Sequence, residues 1–244
     1  MNQLTKRIIS SPSMWHAAAQ VAVAKFMRCD EVTVKRSGLR LCCGTRNGQG
    51  SFCAVAGLGY EPELRWLLNQ LQPGDTFVDV GANIGIYSLH AARKLKGSGS
   101  VLSMEPSPDA IRLLKRNIAL NGFEKIVTAV HAAASNKDGE LYLAGDPTRW
   151  NSLQLHEGPP GVPICVTTVD HLLTDFDKGS FFHFLKIDAE GVESEVLEGA
   201  RDSIQTTWPS IIFENSINRS NMLPTTWLCE KGYQLCTIDR TGRL

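Results

Sequence analysis

The chain has 244 residues, 43% of them hydrophobic, enough for one sizeable packed domain. Lys+Arg and Asp+Glu number 25 each, so no global field gathers nucleic acid or an anionic membrane. The 7 cysteines form no C-x-x-C pair and no histidine pair accompanies them, which argues against a zinc site or disulfide framework. Free thiols in apolar strings point to a reducing, cytoplasmic setting.

Lys6 and Arg7 precede the string AAAQVAVA, which looks like a leader. His16, Gln20 and Lys25 interrupt the run, and it is too short to span a bilayer. An amphipathic helix over a domain edge is expected from Leu4 to Met27. EVTVKRSGLRLCC alternates and turns at Ser37-Gly38, the pattern of a hairpin. Glu61 to Leu71 has helical spacing and stops at Pro73-Gly74. Residues 1–72 thus form a helical and hairpin accessory region, and 73–244 the main domain.

From Thr76 strands and helices alternate. TFVDV reads as a buried strand and IGIYSLHAARKL as a helix. SVLSMEP is a strand ending at Glu105. The next helix has Ser107 as N-cap, Pro108 in its first turn and Gly122 past its end. KIVTAVHAAA, HFLKIDAEG and SIIFENS are the third, fourth and fifth strands, with a helix from Glu193 to Ala200. TTWLCEKG and YQLCTID close the chain as helix and edge strand. This alternation implies a doubly wound, mostly parallel α/β sheet covered on both faces. Between the third and fourth strands lies a long stretch with four of the 11 prolines. Its Trp150, Asn151 and Ser152 suit sugar stacking and hydroxyl recognition, or a loop anchored by one buried tryptophan. His131 is expected as a core residue, and Trp208 as packing.

In an open parallel sheet, ligands bind beyond the strand C-termini, where strand order reverses. The turn Gly81-Ala82-Asn83-Ile84-Gly85 sits at such an end, and glycine there lets a ligand approach the backbone. The middle glycine of G-x-G-x-x-G is absent, and Asn83 stands where a pyrophosphate needs open backbone. That argues against a dinucleotide. Glu105 ends the next strand, twenty positions after Gly85, and can accept both hydroxyls of a ribose. Asp79 could meet an ammonium group directly or through water. An adenosine joined to an amino acid rather than to phosphates matches this set, and that ligand is S-adenosylmethionine.

The strings YEPEL, PGDTFVDVGANIGIYS, VLSMEPSP, VHAAASNKDGELYL, VTTVDHLL, FLKIDAEGVESEVLEGA and PSIIFE run in order from Tyr60 to Glu214. Together they resemble the FkbM family of S-adenosylmethionine-dependent methyltransferases. The resemblance implies a seven-stranded Rossmann-like methyltransferase sheet with a small N-terminal extension. It implies methyl transfer to oxygen, commonly a sugar or polyketide hydroxyl. Cofactor residues carry over onto Glu61, Asp79, Gly81, Asn83, Gly85 and Glu105, with Ser135 near the adenine. Ala189 stands where valine is frequent, and ASNKDG where an acid often follows the serine. Short members of the family, similar in size to this chain, include enzymes that O-methylate fucose on lipochitooligosaccharide nodulation signals.

A sugar hydroxyl is a weak nucleophile, so a base or a metal must take its proton. Lys186, Asp188 and Glu190 alternate at the end of the fourth strand, and a regular strand points all three to one side. In one scheme Asp188 is the general base, Lys186 holds it ionised and Glu190 fixes the acceptor. In the other, Asp188, Glu214 and Asn215 bind a divalent cation. Glu214, ending the fifth strand, is also a candidate substrate-binding residue. A catalytically inactive cofactor-binding module and a nucleic-acid methyltransferase are the rival classes. The intact Lys186, Asp188 and Glu190 count against the first, and the zero net charge against the second.

Overall fold

The computed structural model describes residues 12–45, 48–56, 61–145, 154–176, 181–213, 223–239 and 241–244. Five strands form one parallel sheet: β3 (Thr76–Val80), β4 (Ser100–Met104), β5 (Val127–Val130), β10 (Phe184–Ile187) and β11 (Ser210–Phe213). Their order is β11-β10-β3-β4-β5. The chain starts in the middle with β3, builds outward through β4 and β5, then returns to the other flank of β3 with β10. The reversal therefore falls at the C-terminal ends of β3 and β10, which is where a ligand crevice opens in such sheets.

Each face of the sheet buries one side of every strand. Phe77, Val101 and Phe184 point to a layer formed by α3 (Pro62–Gln70), α4 (Ile86–Leu95) and α5 (Pro108–Asn121). Val78, Leu102 and Leu185 point to the other layer. That layer comprises α6 (Val169–Asp175), α7 (Glu193–Glu198), α8 (Arg201–Thr207) and α9 (Leu223–Glu230). Fully burying each such side chain contributes roughly 1.5–3 kcal/mol. The caps of α5 follow the sequence signals: Ser107 accepts a hydrogen bond from Ala110 N at 3.4 Å, and Gly122 closes the helix at φ +69°.

The N-terminal residues add α1 (Pro12–Phe26), the hairpin of β1 (Glu31–Arg36) and β2 (Leu39–Gly44), and α2 (Gly48–Ala56). The hairpin turn lies at Ser37-Gly38 as its sequence predicts, with φ of +48° and +77°. α2 carries no sequence signal beyond a short apolar run. The free edge of β2 is covered by two asparagines one turn apart on α5. Asn117 accepts from Cys42 N at 2.6 Å and donates to Cys42 O at 3.0 Å. Asn121 does the same for Arg40, at 2.9 and 2.8 Å. These side chains take the place of a neighbouring strand. Asn117 also donates to Ile84 O at 2.9 Å, so one buried amide ties the hairpin to the glycine turn.

Several expectations change. The parallel sheet holds five strands among the described residues, not seven. Tyr233–Asp239 alternates like a strand but pairs with neither edge of the parallel sheet and forms none. Tyr233 instead stacks on Trp208 at 5.5 Å, which leaves Trp208 56% exposed. The expected third strand divides, because the chain leaves the sheet after Val130. Its second part, β6 (Ala133–Ala134), joins β7 (Gly139–Ala144), β8 (Gln154–His156) and β9 (Val162–Thr167) in a separate sheet, ordered β6-β9-β7-β8. Much of the long inter-strand stretch is therefore ordered ladder. His131 falls at the division and is exposed, its Nε2 lying 3.0 Å from Pro106 O, so it is not a core residue.

Candidate functional site

Parallel register sets Lys186 on β10 directly beside Asp79 on β3. Both project into the α4 side of the sheet, Asp79 at 0% and Lys186 at 5% exposure. The Lys186 ammonium lies 3.4 Å from Asp79 Oδ1 and 3.3 Å from Asp188 Oδ2. It donates to Gly81 O at 3.0 Å and sits 5.1 Å from the centre of the Tyr87 ring. Burial alone would discharge this lysine. The carboxylates of Asp79, Asp188 and Glu61 outweigh burial and keep it charged.

Two serines complete the floor. Ser88, in the first turn of α4, donates to Asp79 Oδ2 at 2.5 Å and lies 2.8 Å from Ser103 Oγ. Glu61 stands just ahead of α3, and its side chain makes no capping bond. It is instead hydrogen-bonded to the Tyr87 hydroxyl, and burial raises its pKa. Tyr87, Ser88 and Ser103 were missed as site residues by the sequence reading. For Tyr87 and Ser88 the signal is positional, since the first turn of the helix after the glycine turn must face the strand ends; Ser103 is set beside Asp79 only by the β3–β4 register.

Glu105 leaves β4 buried, at 7% exposure. Its Oε2 accepts from Asn83 N and its Oε1 from Ser107 N, both at 2.8 Å. Burial pushes its pKa up to about 7, against the pull of those two donors. Asn83 holds a left-handed φ of +51°, a conformation its short polar side chain tolerates. Its Oδ1 is buried without a hydrogen-bond partner.

The glycines have a packing role that the sequence does not show. A Cβ on Gly81 would lie 1.9 Å from the Asp188 carbonyl oxygen, and one on Gly85 2.5 Å from Leu114 Cδ1. Gly81 lets the chain after β3 approach that after β10, and Gly85 lets α4 approach α5. Glu190 departs from expectation. β10 ends at Ile187, and Glu190 takes φ +55° in a turn with Gly191, so strand alternation does not carry it beside Lys186 and Asp188. Ser135 N donates to Thr167 O at 3.0 Å and its hydroxyl lies 3.5 Å from Asn136 Oδ1, at the edge of the second sheet. Trp150, Asn151, Ser152, Glu214 and Asn215 lie outside the described residues. Among the described residues no group of three or more His, Cys, Asp or Glu is arranged to hold a metal ion.

The crevice thus gathers Glu61, Asp79, Glu105 and Asp188 around one cation, Lys186, all electrostatically coupled. It is rich in acceptors and carries an excess of carboxylate. A polyphosphate, itself anionic and acceptor-only, is repelled there. A ligand bringing positive charge and hydroxyl donors fits, and the unpartnered Asn83 Oδ1 adds one more acceptor. S-adenosylmethionine has those groups: a sulfonium, an ammonium and two ribose hydroxyls.

An open parallel sheet with a carboxylate-lined crevice at its reversal point defines a doubly wound α/β fold of the methyltransferase type. The chain belongs to the methyltransferase FkbM domain family, whose model matches residues 79–235, more than half of its length. Membership implies S-adenosylmethionine as methyl donor. The chain is 29% identical over 176 residues to methyltransferase sdnD of Sordaria araneosa, covering 56% of this chain and 68% of that one. It is 25% identical over 148 residues to hexuronic acid methyltransferase AglP of Haloferax volcanii, covering 61% and 59%. The crystal structure of methyltransferase FkbM from Methylobacillus flagellatus superposes with a TM-score of 0.49 at 18% identity, over 90% of this chain. This chain spans about half the length of that protein, 52%. No described helix is long and apolar enough to cross a membrane.

Proposed function

We propose that the protein transfers a methyl group from S-adenosylmethionine to a hydroxyl oxygen of a carbohydrate. The observation that carries this reading is the acceptor-rich crevice in which Lys186 bridges Asp79 and Asp188 at 3.4 and 3.3 Å. The likeness to a hexuronic acid methyltransferase supports a sugar acceptor. Fucose of a lipochitooligosaccharide, methylated at its 2-hydroxyl, is the first acceptor to test. Residues 1–72 serve as the accessory region of the catalytic domain 73–244, in a cytoplasmic protein that acts on glycans and not on nucleic acid.

Roles follow from position. Glu105 takes the ribose hydroxyls, because its two oxygens keep free lone pairs beyond their backbone donors. Asp79 and Glu61 face the cationic end of the donor. Asp188, 40% exposed, is the base reachable by an incoming hydroxyl. Its carboxylate takes the acceptor proton as the new bond forms. Lys186 fixes the direction of Asp188 and keeps Asp79 from standing as an isolated buried charge. Gly81, Asn83 and Gly85 shape the turn, and Ser135 is assigned to the adenine edge. Glu190, Trp150, Asn151, Ser152 and Glu214 are assigned to the acceptor. When bound, S-adenosylmethionine supplies a methyl group already activated by its sulfonium.

The test uses labelled donor with a panel of fucosylated and hexuronic-acid glycans. The wild type is expected to transfer label, and Asp188→Asn to bind the donor yet lose about 10²–10⁴-fold in turnover. Full activity of Asp188→Asn would remove the proposed base. Donor binding without transfer to any glycan would make the protein a cofactor-binding module.

A further inference from the structure

α1 is apolar on two opposite faces. Ala17 and Ala24 are buried and Val21 packs on the core beneath them. At about 100° per residue, Trp15, Ala19, Ala22, Val23 and Phe26 fall in one stripe on the opposite side. All five are exposed, Phe26 at 89% and Val23 at 57%. Met27, 68% exposed, extends the stripe. Alongside it runs an open groove of about 540 Å³ between α1 and β1, lined by His16, Val23, Met27, Val32, Thr33 and Glu31, whose carboxylate is ion-paired with Arg112 and Arg116. Large aromatic and aliphatic groups held this way mark a contact surface rather than ordinary exposure.

Charge selects the occupant. From residue 12 to 29 the only formal charges are Lys25 and Arg28; the first acidic residue is Asp30, beyond the helix. We propose that the stripe seats α1 on an anionic lipid surface, with Phe26, Val23 and Trp15 in the headgroup layer and Lys25 and Arg28 against anionic headgroups. A second copy of the chain also suits an apolar stripe, but α1 carries no acidic residue, so a facing copy of the helix offers Lys25 and Arg28 no partner. The local positive charge is compatible with a zero net charge, since the attraction acts within a Debye length of the surface. The proposal stands apart from methyl transfer and holds whichever acceptor is used.

The test is sedimentation of the full chain with two kinds of vesicle: phosphatidylcholine alone, and equal parts phosphatidylcholine and phosphatidylglycerol. The wild type is expected to bind the mixed vesicles at least about tenfold more tightly than the neutral ones. Lys25→Gln with Arg28→Gln should weaken binding about tenfold or more, and added salt should do the same without any substitution. Val23→Glu with Phe26→Glu should abolish it. All variants should keep the wild-type unfolding midpoint, because the altered side chains face solvent. Failure of the wild type to bind mixed vesicles overturns the proposal, as does equal binding to both kinds. A dimer in sedimentation velocity that Phe26→Glu dissolves would assign the stripe to a second copy instead.

Discussion

Replacing Glu105 by glutamine separates a charge from the hydrogen bonds that hold it. Burial raises the carboxyl from its ordinary 4.5 to about 7. An acid raised in the folded state favours its neutral form. Its stability contribution is complete below about pH 4.5 and is lost as pH climbs through 7. At about 1.4 kcal/mol for each tenfold change in proton affinity, that loss is roughly 3 kcal/mol across the window. Glutamine does not titrate, but it offers one acceptor oxygen to two backbone donors, Asn83 N and Ser107 N. One donor is then left unmet, at a cost of about 1–3 kcal/mol at every pH. The variant should therefore be less stable than wild type near pH 5, and the gap should close by pH 8. Urea unfolding of the ligand-free protein at four or so pH values measures this, with the difference between the two proteins isolating Glu105. Donor affinity in the wild type should rise with pH up to about 7, because ribose hydroxyls favour the ionised carboxylate, and be weak and flat in the variant. Stability curves that run parallel from pH 5 to 8 would refute the account of Glu105 as a raised, buried carboxyl.

Lys186→Met leaves Asp79 buried without its cation and should destabilise the fold by about 3–5 kcal/mol, with Asp79→Leu added in the same chain restoring much of it. Gly81→Ala should both destabilise the protein and weaken donor binding, since its Cβ would press on the Asp188 carbonyl at 1.9 Å; Gly74→Ala, with φ +98° and open space around it, should cost only the backbone term of about 1–2 kcal/mol. His90 is buried, neither of its ring nitrogens has a hydrogen-bond partner, and burial lowers its pKa from 6.5 to about 4. A base lowered in the folded state contributes fully above pH 6.5 and loses that contribution as pH falls toward 4, here by roughly 3 kcal/mol. His90→Leu should remove that acid-side loss, seen as a flatter unfolding midpoint between pH 6.5 and 4.

Local signals carried much of this protein. Ser107, Pro108 and Gly122 bound α5 because caps act through neighbours within one turn. The buried run Thr76–Val80 could only be an inner strand, and the alternation from there onward implied a parallel sheet. That Asp79, Glu105, Lys186 and Asp188 gather at one end of the sheet was legible, because strand C-termini at the reversal point face one crevice. Other features depended on distant chain segments. The position of Lys186 opposite Asp79 follows from pairing across more than a hundred residues. Gly81 is required by the Asp188 carbonyl, a group that nothing near it in the chain reveals. Asn117 and Asn121 look like ordinary helix polar residues until β2 lies against them. Tyr233–Asp239 has the pattern of a strand but does not join the sheet, and Glu190 leaves the alternation because its backbone turns left-handed. Periodicity and caps are set within a few residues; register, close approach and pairing partners exist only once remote segments have come together.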